Sequence, residues 1–551
     1  MRIFVKIIKW TGIVLVAILL LIAVSCVYLY ESADLKAPAG FHPSSVPAFV
    51  SDSLRTYGDN WLRLDKYGLW EMKISGSAFE RGEAIGKMAG DLLYYQEEVF
   101  VRQIYKLVPS RRYVRFLGKL IVIFNRHLGK YVTEEDRDEI YAMSKYCSHD
   151  FDDFGTPYER QMQYHSAHDI GHAMQDYMLV GCSSFACWDG FSADSSLIIG
   201  RNFDFYMGDD FSKNKVVLFE EPEKGYKFVS VTWPGMIGVL SGMNEKGLTV
   251  TINAAKSDIP VSSATPISIL AREILQYASN IKEAYSIAGK RKTFVSESIL
   301  IGSASDGKAA IIEKSPERMA LFDPGSDHII CTNHYQSESF AHDERNEENI
   351  RLSDSKYRFE RISQLLDSLS PIDVGKAVSI LRNKRGLGGA GLGYCNDLAV
   401  NQLIAHHSVV FEPSRRKMWV SSSPWQCGKY VCYDLNKIFS GNPDCRKPVD
   451  DSGSTIPEDP FLHSADYQRV LQFKRYSEII KRASACHRKV SGDSLSAFLS
   501  FNPEYYGTYI ISGDYYQSCG LPEKACPLWE KALTLPMKKQ ERLSLEHKIG
   551  K

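Results

Sequence analysis

The run Gly181-Cys182-Ser183-Ser184 sets a thiol directly after a glycine. A lone cysteine is most often a small buried residue. Three features set Cys182 apart from that. Gly181 permits the strained backbone that an internal acyl shift needs. The pair lies where a helical pattern gives way to a strand-rich one. Gly200-Arg201-Asn202-Phe203-Asp204 then follows within a short distance. If the Cys182 sulfur attacks the Gly181 carbonyl, water can resolve the thioester and leave Cys182 as a new chain start. Its free α-amino group, with a reference pKa of ~7.7–8.0, can take the thiol proton near neutral pH. Nucleophile and base then share one residue, and no catalytic histidine is needed. The thiolate attacks a substrate amide, fixed donors hold the oxyanion, and the new thioester is hydrolysed or passed to another acceptor.

Elements on both sides must hold this pair. From about Ala78 to Tyr177 apolar residues recur at three and four, a helical period. After Gly181, short β-like runs follow one another, among them 196–200, 216–219, 227–232, 247–252, 298–302 and 309–313, separated by Gly, Asp and Asn turns. Helical patterns intervene at Ile267–Tyr277 and Tyr357–Ser368. Val409-Val410-Phe411-Glu412-Pro413 and Lys417-Met418-Trp419-Val420 read as a closing hairpin. Strands in runs, broken by helices, predict an α+β protein of stacked antiparallel sheets with covering helices. Residues 31–60 and 446–460 have linker composition, and the chain after the second is helical. Gly513, Tyr516, Gly520, Ala525, Trp529, Ala532 and Pro536 fall near the offsets of one tetratricopeptide repeat. A helical hairpin docked on the main domain fits the same residues.

Cys182 to Ala186, Gly200-Arg201-Asn202-Phe203-Asp204-Phe205 and Gly242-Met243-Asn244-Glu245-Lys246-Gly247-Leu248 resemble the choloylglycine hydrolase and penicillin acylase group. Glu80-Arg81-Gly82 and Ala167-His168-Asp169-Ile170-Gly171-His172 shift the resemblance to its C45 branch, typified by acyl-CoA:6-aminopenicillanic acid acyltransferase. The resemblance covers roughly residues 70–425. It implies the four-layer αββα fold of N-terminal-nucleophile hydrolases. It also implies roles: Arg201 beside the nucleophile sulfur, where a cation favours thiolate; Asp204 orienting the α-amino group; Asn253 as oxyanion-hole donor; Asn333 as a second asparagine near the site; and Arg358 as the late arginine, with Arg351 and Arg361 nearby. Asparagine within the apolar run Val250-Thr251-Ile252-Asn253 is otherwise disfavoured in a strand.

The ends of the chain add a location. Arg2, Lys6 and Lys9 precede an uncharged apolar run from Gly12 to Tyr30, about as long as a bilayer core requires, ~20 residues. This predicts an inner-membrane anchor, or a lipoprotein signal around Ala23-Val24-Ser25-Cys26, with the rest of the chain periplasmic. The 66 basic and 66 acidic side chains balance, which argues against a nucleic-acid partner. Of 12 cysteines, Cys427 with Cys432 and Cys519 with Cys526 are close enough to bridge. No spacing suggests a structural metal, and no cofactor is expected. His165, His168 and His172 have helix-face spacing but read as structural. His334 and the His406-His407 pair lack a papain signature.

The expected organisation is anchor or signal (1–30), linker (31–60), helical prosegment (61–181), hydrolase domain (182–445), linker (446–460) and helical tail (461–551). The prosegment is expected to stay bound after cleavage at Gly181–Cys182. The expected reaction is cleavage of a linear amide in a small N-acylated compound. One alternative is transfer of the acyl group to an amine. Another is an inert, anchored binding or assembly protein whose tail docks a partner or a second copy.

Overall fold

The computed structural model describes residues 2–33, 35–108, 110–173, 180–256, 263–441 and 443–550. Two sheets form its centre. The larger has eleven strands in the spatial order Phe49–Val50, Leu54–Tyr57, Asn60–Leu64, Trp70–Gly76, Val216–Pro222, Phe228–Thr232, Ser241–Asn244, Leu248–Ala254, Glu297–Ser303, Lys308–Lys314 and Met319–Phe322. The smaller has six: His328–Cys331, Val180–Asp189, Ser195–Phe205, His407–Glu412, Lys417–Ser421 and Tyr430–Asp434.

Strand alternation sorts side chains into layers. Val217, Phe219, Val229, Leu300 and Ile311 of the larger sheet meet Ile199, Val409, Phe411 and Val420 of the smaller one in a core between the sheets. On the outer face of the larger sheet, Val250 and Ile252 pack against Leu270 and Ile274 of helix Ile267–Tyr277. Further along that face, Met72, Ile74 and Leu218 pack against Ile85, Met88 and Leu92 of helix Ala78–Leu107. On the outer face of the smaller sheet, Phe185, Ile198 and Val410 meet Ile362 and Leu366 of helix Ser355–Leu369 and Val378 and Leu381 of helix Val374–Leu381. The result is the four-layer αββα arrangement.

The segment before Gly181 departs from expectation. Composition predicts a linker over 31–60 and periodicity a helical prosegment over 61–181. Instead the region from Phe49 to Gly76 supplies four strands of the larger sheet. Trp70 to Ile74 are all buried, so both strand faces are covered, although Trp70-Glu71-Met72-Lys73-Ile74 alternates apolar and polar residues in the sequence. Trp70–Gly76 runs parallel to Val216–Pro222, from Trp70 opposite Val216 to Gly76 opposite Pro222. The second linker is not free either. Asp450 and Ile456 bridge to Tyr433 and Tyr430 at the edge of the smaller sheet.

A buried charge cluster ties the prosegment to the rest. Arg81 Nη2 lies 2.8 Å from Glu139 Oε2, and Arg272 Nη2 lies 2.7 Å from the same oxygen. Both arginines also pair with Glu220, and Asp136 Oδ1 is 3.3 Å from Arg272 Nε. Arg81 and Glu139 lie before Gly181 in the chain; Glu220 and Arg272 lie after it. Replacing Arg272 with methionine leaves Glu139 and Glu220 buried with one shared cation. The expected cost is about 3–5 kcal/mol of unfolding free energy, read from denaturant titration.

Helix Arg2–Glu31 contains a 26-residue stretch, Lys6–Glu31, of mean hydropathy 2.9 and with none of its apolar window buried, long and apolar enough to cross a membrane. At the other end, helices Ala465–Ala485, Gly492–Phe501, Tyr506–Ser518, Pro522–Leu533 and Lys539–Ile549 form the tail. Gly513 lies under the Trp529 indole, where a Cβ would stand 2.3 Å from Nε1. All twelve cysteines are free thiols, so neither close pair bridges.

Candidate active site

Strand Val180–Asp189 pairs antiparallel with Ser195–Phe205, setting Gly181 opposite Asp204, Cys182 opposite Phe203 and Ser184 opposite Arg201. Alternation turns Cys182, Ser184, Arg201 and Phe203 toward the larger sheet. Ser183, Asn202 and Asp204 face the covering helices. Cys182 is fully buried, and the chain runs unbroken through the Gly181–Cys182 bond within the strand. Burial pushes its thiol up to about 11, against the pull of Arg201.

Arg201 Nη2 is 3.8 Å from Cys182 Sγ. The same guanidinium donates to the Ile252 carbonyl and to Ser241 Oγ, and its carbon stands 4.5 Å over the Phe203 ring. Ser241 Oγ is 2.8 Å from His407 Nε2, and His407 Nδ1 is 2.9 Å from His406 Nδ1. Burial drives both imidazoles well below their ordinary value, so this chain is neutral at pH 7. Among the described residues Arg201 has no carboxylate in contact. Its charge acts first on the Cys182 sulfur, with Glu297 and Asp204 also within electrostatic reach. Sequence reasoning sets the two histidines aside as candidate nucleophile partners; the structure gives them a supporting place behind Arg201.

Asp204 is also fully buried, not at a strand end in solvent, and neither carboxylate oxygen has a hydrogen-bond partner among the described residues. Burial pushes its carboxyl up to about 7, against Arg358 and Arg201. In the uncut chain this value lies above that of the unfolded chain. The folded state thus binds the proton more tightly, and stability falls as pH rises from about 4 to about 7, then stays level. Asp204→Asn in an uncut Cys182→Ala protein removes that loss. It is expected to raise stability at pH 8 by about 2–4 kcal/mol and to change it little at pH 4, as read from unfolding at the two pH values.

Asn333 and Arg358 hold the peptide groups on the two sides of Cys182. The Cys182 N–H donates to Asn333 Oδ1 at 3.1 Å. Arg358 Nη2 donates to that oxygen at 2.6 Å, and its Nη1 donates to the Cys182 carbonyl at 2.6 Å and to Ser183 Oγ at 2.8 Å. Asn333 is held by its own N–H on Ser355 Oγ and its Nδ2 on the Ala254 carbonyl, both at 2.8 Å. Arg361, the neighbouring alternative to Arg358, turns instead to Asn383 and Gln364. Asp354 fixes Arg358 Nε at 2.7 Å, a partner that the i,i+4 spacing could have pointed out.

Asn253 stands one step back. It accepts from Ser184 Oγ at 2.9 Å and donates to the Cys331 carbonyl at 2.8 Å. Gly181 needs a different account from the one its sequence suggests. It is extended strand and not left-handed, so strain is not what selects glycine here. A Cβ would stand 2.9 Å from Gln402 Nε2, and that buried amide nitrogen has no partner among the described residues. Close approach of Gln402 is the reason for glycine.

The other histidines are placed as structural. His165 Nδ1 donates to the Gln161 carbonyl at 2.7 Å, and its Nε2 accepts the Ile237 N–H at 3.0 Å. His334 Nδ1 is 2.7 Å from Ser355 Oγ. The side chains of His168 and His172 lie outside the described residues. The loop Trp233-Pro234-Gly235-Met236 lines a largely aromatic cavity with Phe100, Tyr164, Phe205 and Phe211. Phe205 stacks on Trp233 at 5.8 Å and on Phe203 at 5.7 Å, which joins the cavity to the Cys182 cluster.

Residues 191–423 match the family model of acyl-coenzyme A:6-aminopenicillanic acid acyl-transferase. The chain thus resembles the C45 branch of the N-terminal-nucleophile hydrolases, and on that match it is an enzyme of the amide-hydrolase or acyltransferase class. It is 24% identical over 462 residues to an uncharacterised protein of Archaeoglobus fulgidus, covering 74% of each chain. It is 20% identical over 271 residues to protein dcd1B of Dictyostelium discoideum, covering 46% of this chain and 51% of that one. Among solved structures, a Caenorhabditis elegans ortholog of N-acylethanolamine-hydrolyzing acid amidase aligns at 17% identity and a TM-score of 0.31, over 42% of this chain and 93% of that one. A mutant of conjugated bile acid hydrolase from Clostridium perfringens aligns at 14% and 0.31, over 49% and 95%. At those scores the likeness decides nothing about function.

Proposed function

We propose that the chain cuts its own Gly181–Cys182 bond and then uses Cys182 as an N-terminal nucleophile against the linear amide of an N-acylated small molecule. The observation that carries this is the enclosure of Cys182 and the peptide groups on its two sides. Arg201 faces the Cys182 sulfur, Asn333 takes its N–H, Arg358 holds its carbonyl, and an unpartnered Asp204 lies across from Gly181.

In the first stage the Cys182 sulfur adds to the Gly181 carbonyl and its proton passes to a base. That proton reaches the leaving Cys182 nitrogen, since Asp204 faces the other side of the strand from the thiol. The C–N bond breaks, the Cys182 nitrogen leaves as an amine, and water hydrolyses the thioester to free the Gly181 carboxyl. The new ammonium then lies next to Asp204, which pairs with it and falls back toward the ordinary carboxylate range. In the second stage the neutral amine takes the thiol proton. The thiolate adds to the substrate amide with Asn253 donating to the oxyanion, the amine product leaves with the proton, and water releases the acid.

The aromatic cavity beside Phe205 suits an apolar acyl group. Phe100 and Tyr164 in its wall belong to the prosegment, so the small chain stays as part of the site. The apolar N-terminal helix supports an anchored protein with its catalytic domain outside the inner membrane. Coenzyme A is not expected there, which favours hydrolysis over transfer. Mass spectrometry of the chain ends, with product analysis on a series of N-acyl amides with and without an amine acceptor, tests each part. Absence of a Cys182 N-terminus sinks the first stage, and acyl products on the added amine favour the acyltransferase.

A further inference from the structure

Charges from the helical tail reach the peptide groups around Cys182. Arg358, which holds the Cys182 carbonyl, is itself held by Asp354, four residues earlier on its helix. Lys538, immediately before helix Lys539–Ile549, pairs with Asp397 at 3.1 Å and lies within electrostatic reach of Asp354. Tyr506 Oη donates to the other Asp397 oxygen at 3.2 Å, and Asn396 Nδ2 donates to the Pro536 carbonyl at 3.3 Å. Arg358, Asp354, Lys538 and Asp397 therefore alternate in sign and sum to zero, with little exposure: the side chains of Lys538 and Asp397 are 21% and 13% exposed.

We propose that Lys538 is a positioning residue that, through Asp354, sets Arg358 on the Cys182 carbonyl and on Asn333, the acceptor of the Cys182 N–H, which makes the tail part of the self-cutting machinery. This rests on the self-cutting reading above. Without Lys538, Asp354 and Asp397 are like charges sharing one cation. Either Asp397 draws on Arg358 or one carboxyl keeps a proton, and in both cases Asp354 stops being a fixed anion for Nε. The groups around Asp354 are Arg358 on its own helix, Lys538 with Glu541 beyond it in the tail, Asp397 from the preceding loop, and Asp204 from the strand Ser195–Phe205. Burial pushes the Asp354 carboxyl up, but Arg358 and Lys538 outweigh it and hold it below the usual range. It is therefore ionised wherever the protein would cut, and becomes protonated only on acidification. Removing Lys538 raises it.

The test uses the full-length protein carrying Lys538→Met, Lys538→Arg, or Lys538→Met with Asp397→Asn. The rate at which the Cys182 N-terminus appears is followed against pH. K538M is expected to slow cutting on the order of tenfold and to move the acid limb of the profile to higher pH. K538R stays near wild type, and the double variant, which restores neutrality, recovers most of the rate. An unchanged rate and profile in K538M, or a double variant as slow as the single, overturns the proposal. A second measurement does not depend on cutting. Crystal structures of the Cys182→Ala protein with and without K538M report the position of Arg358. Displacement from the Cys182 carbonyl supports the role, and an unmoved Arg358 overturns it. A wild-type chain that never cuts, together with a displaced Arg358, sinks the self-cutting reading and keeps the positioning role.

Discussion

Replacing Cys182 by alanine is expected to leave a single band at the 62.2 kDa of the whole chain, where the wild type gives one fragment ending at Gly181 and one beginning at Cys182. Amide turnover should fall roughly 10⁴-fold or more, because the nucleophile and the amine base it exposes are lost together. The substitution removes one sulfur from a packed cluster and leaves every hydrogen bond of the Cys182 backbone in place. The protein should therefore fold, and its unfolding midpoint separates chemical from structural loss. A Cys182→Ala chain that is still cut assigns the cleavage to another protease. A wild type that stays whole favours the inert binding protein.

The second large effect is at Arg201. Arg201→Met removes the cation 3.8 Å from the sulfur. An opposite charge at such range shifts a pKa by ~1–3 units, so the thiolate fraction near neutrality should fall by about 10²-fold, and with it both cutting and turnover. Loss of stability should be much smaller than for Arg272→Met. Loss of Arg272 would leave two buried carboxylates sharing Arg81 alone, whereas Arg201 touches carbonyl, hydroxyl, imidazole and ring groups and no acid among the described residues. The decisive readout is the pH dependence of turnover in the cut enzyme. An alkaline shift of the rising limb is expected, and an unshifted profile at lower amplitude would reassign Arg201 to packing.

Much of the site was legible because its residues lie in short runs with strong local demands. Gly181-Cys182 and Gly200 to Phe205 are neighbours in one hairpin, so a single register fixes them together. Asn253, Asn333 and Arg358 were reached through resemblance, and Asn333 and Arg358 lie directly on the Cys182 backbone. Ser241, His407, Gln402 and Lys538 were not legible as site residues. Each is ordinary in its own stretch and gains its task from a neighbour far away in the chain. The fold shows the same divide. The helix Ile267–Tyr277 and the hairpin of His407–Glu412 with Lys417–Ser421 have the periods that sequence reveals. The strands between Phe49 and Gly76 are harder to read: the first two are short and partly exposed, and Trp70–Gly76, though alternating, takes its place in the sheet by pairing with Val216–Pro222 well over a hundred residues later.

The parallel pairing of Trp70–Gly76 with Val216–Pro222 changes the order of a reaction. Before the cut, bringing these strands together is an intramolecular event, independent of protein concentration. After it, the two belong to different molecules, and a denatured sample must rebuild one continuous sheet by a bimolecular encounter. The uncut chain should refold at a rate that dilution does not alter. The matured protein should refold more slowly as it is diluted and lose recovery altogether once the fragments are separated. If the chain cuts itself as proposed, the small chain is still needed to assemble the site, and recovery of that assembled state then depends on concentration.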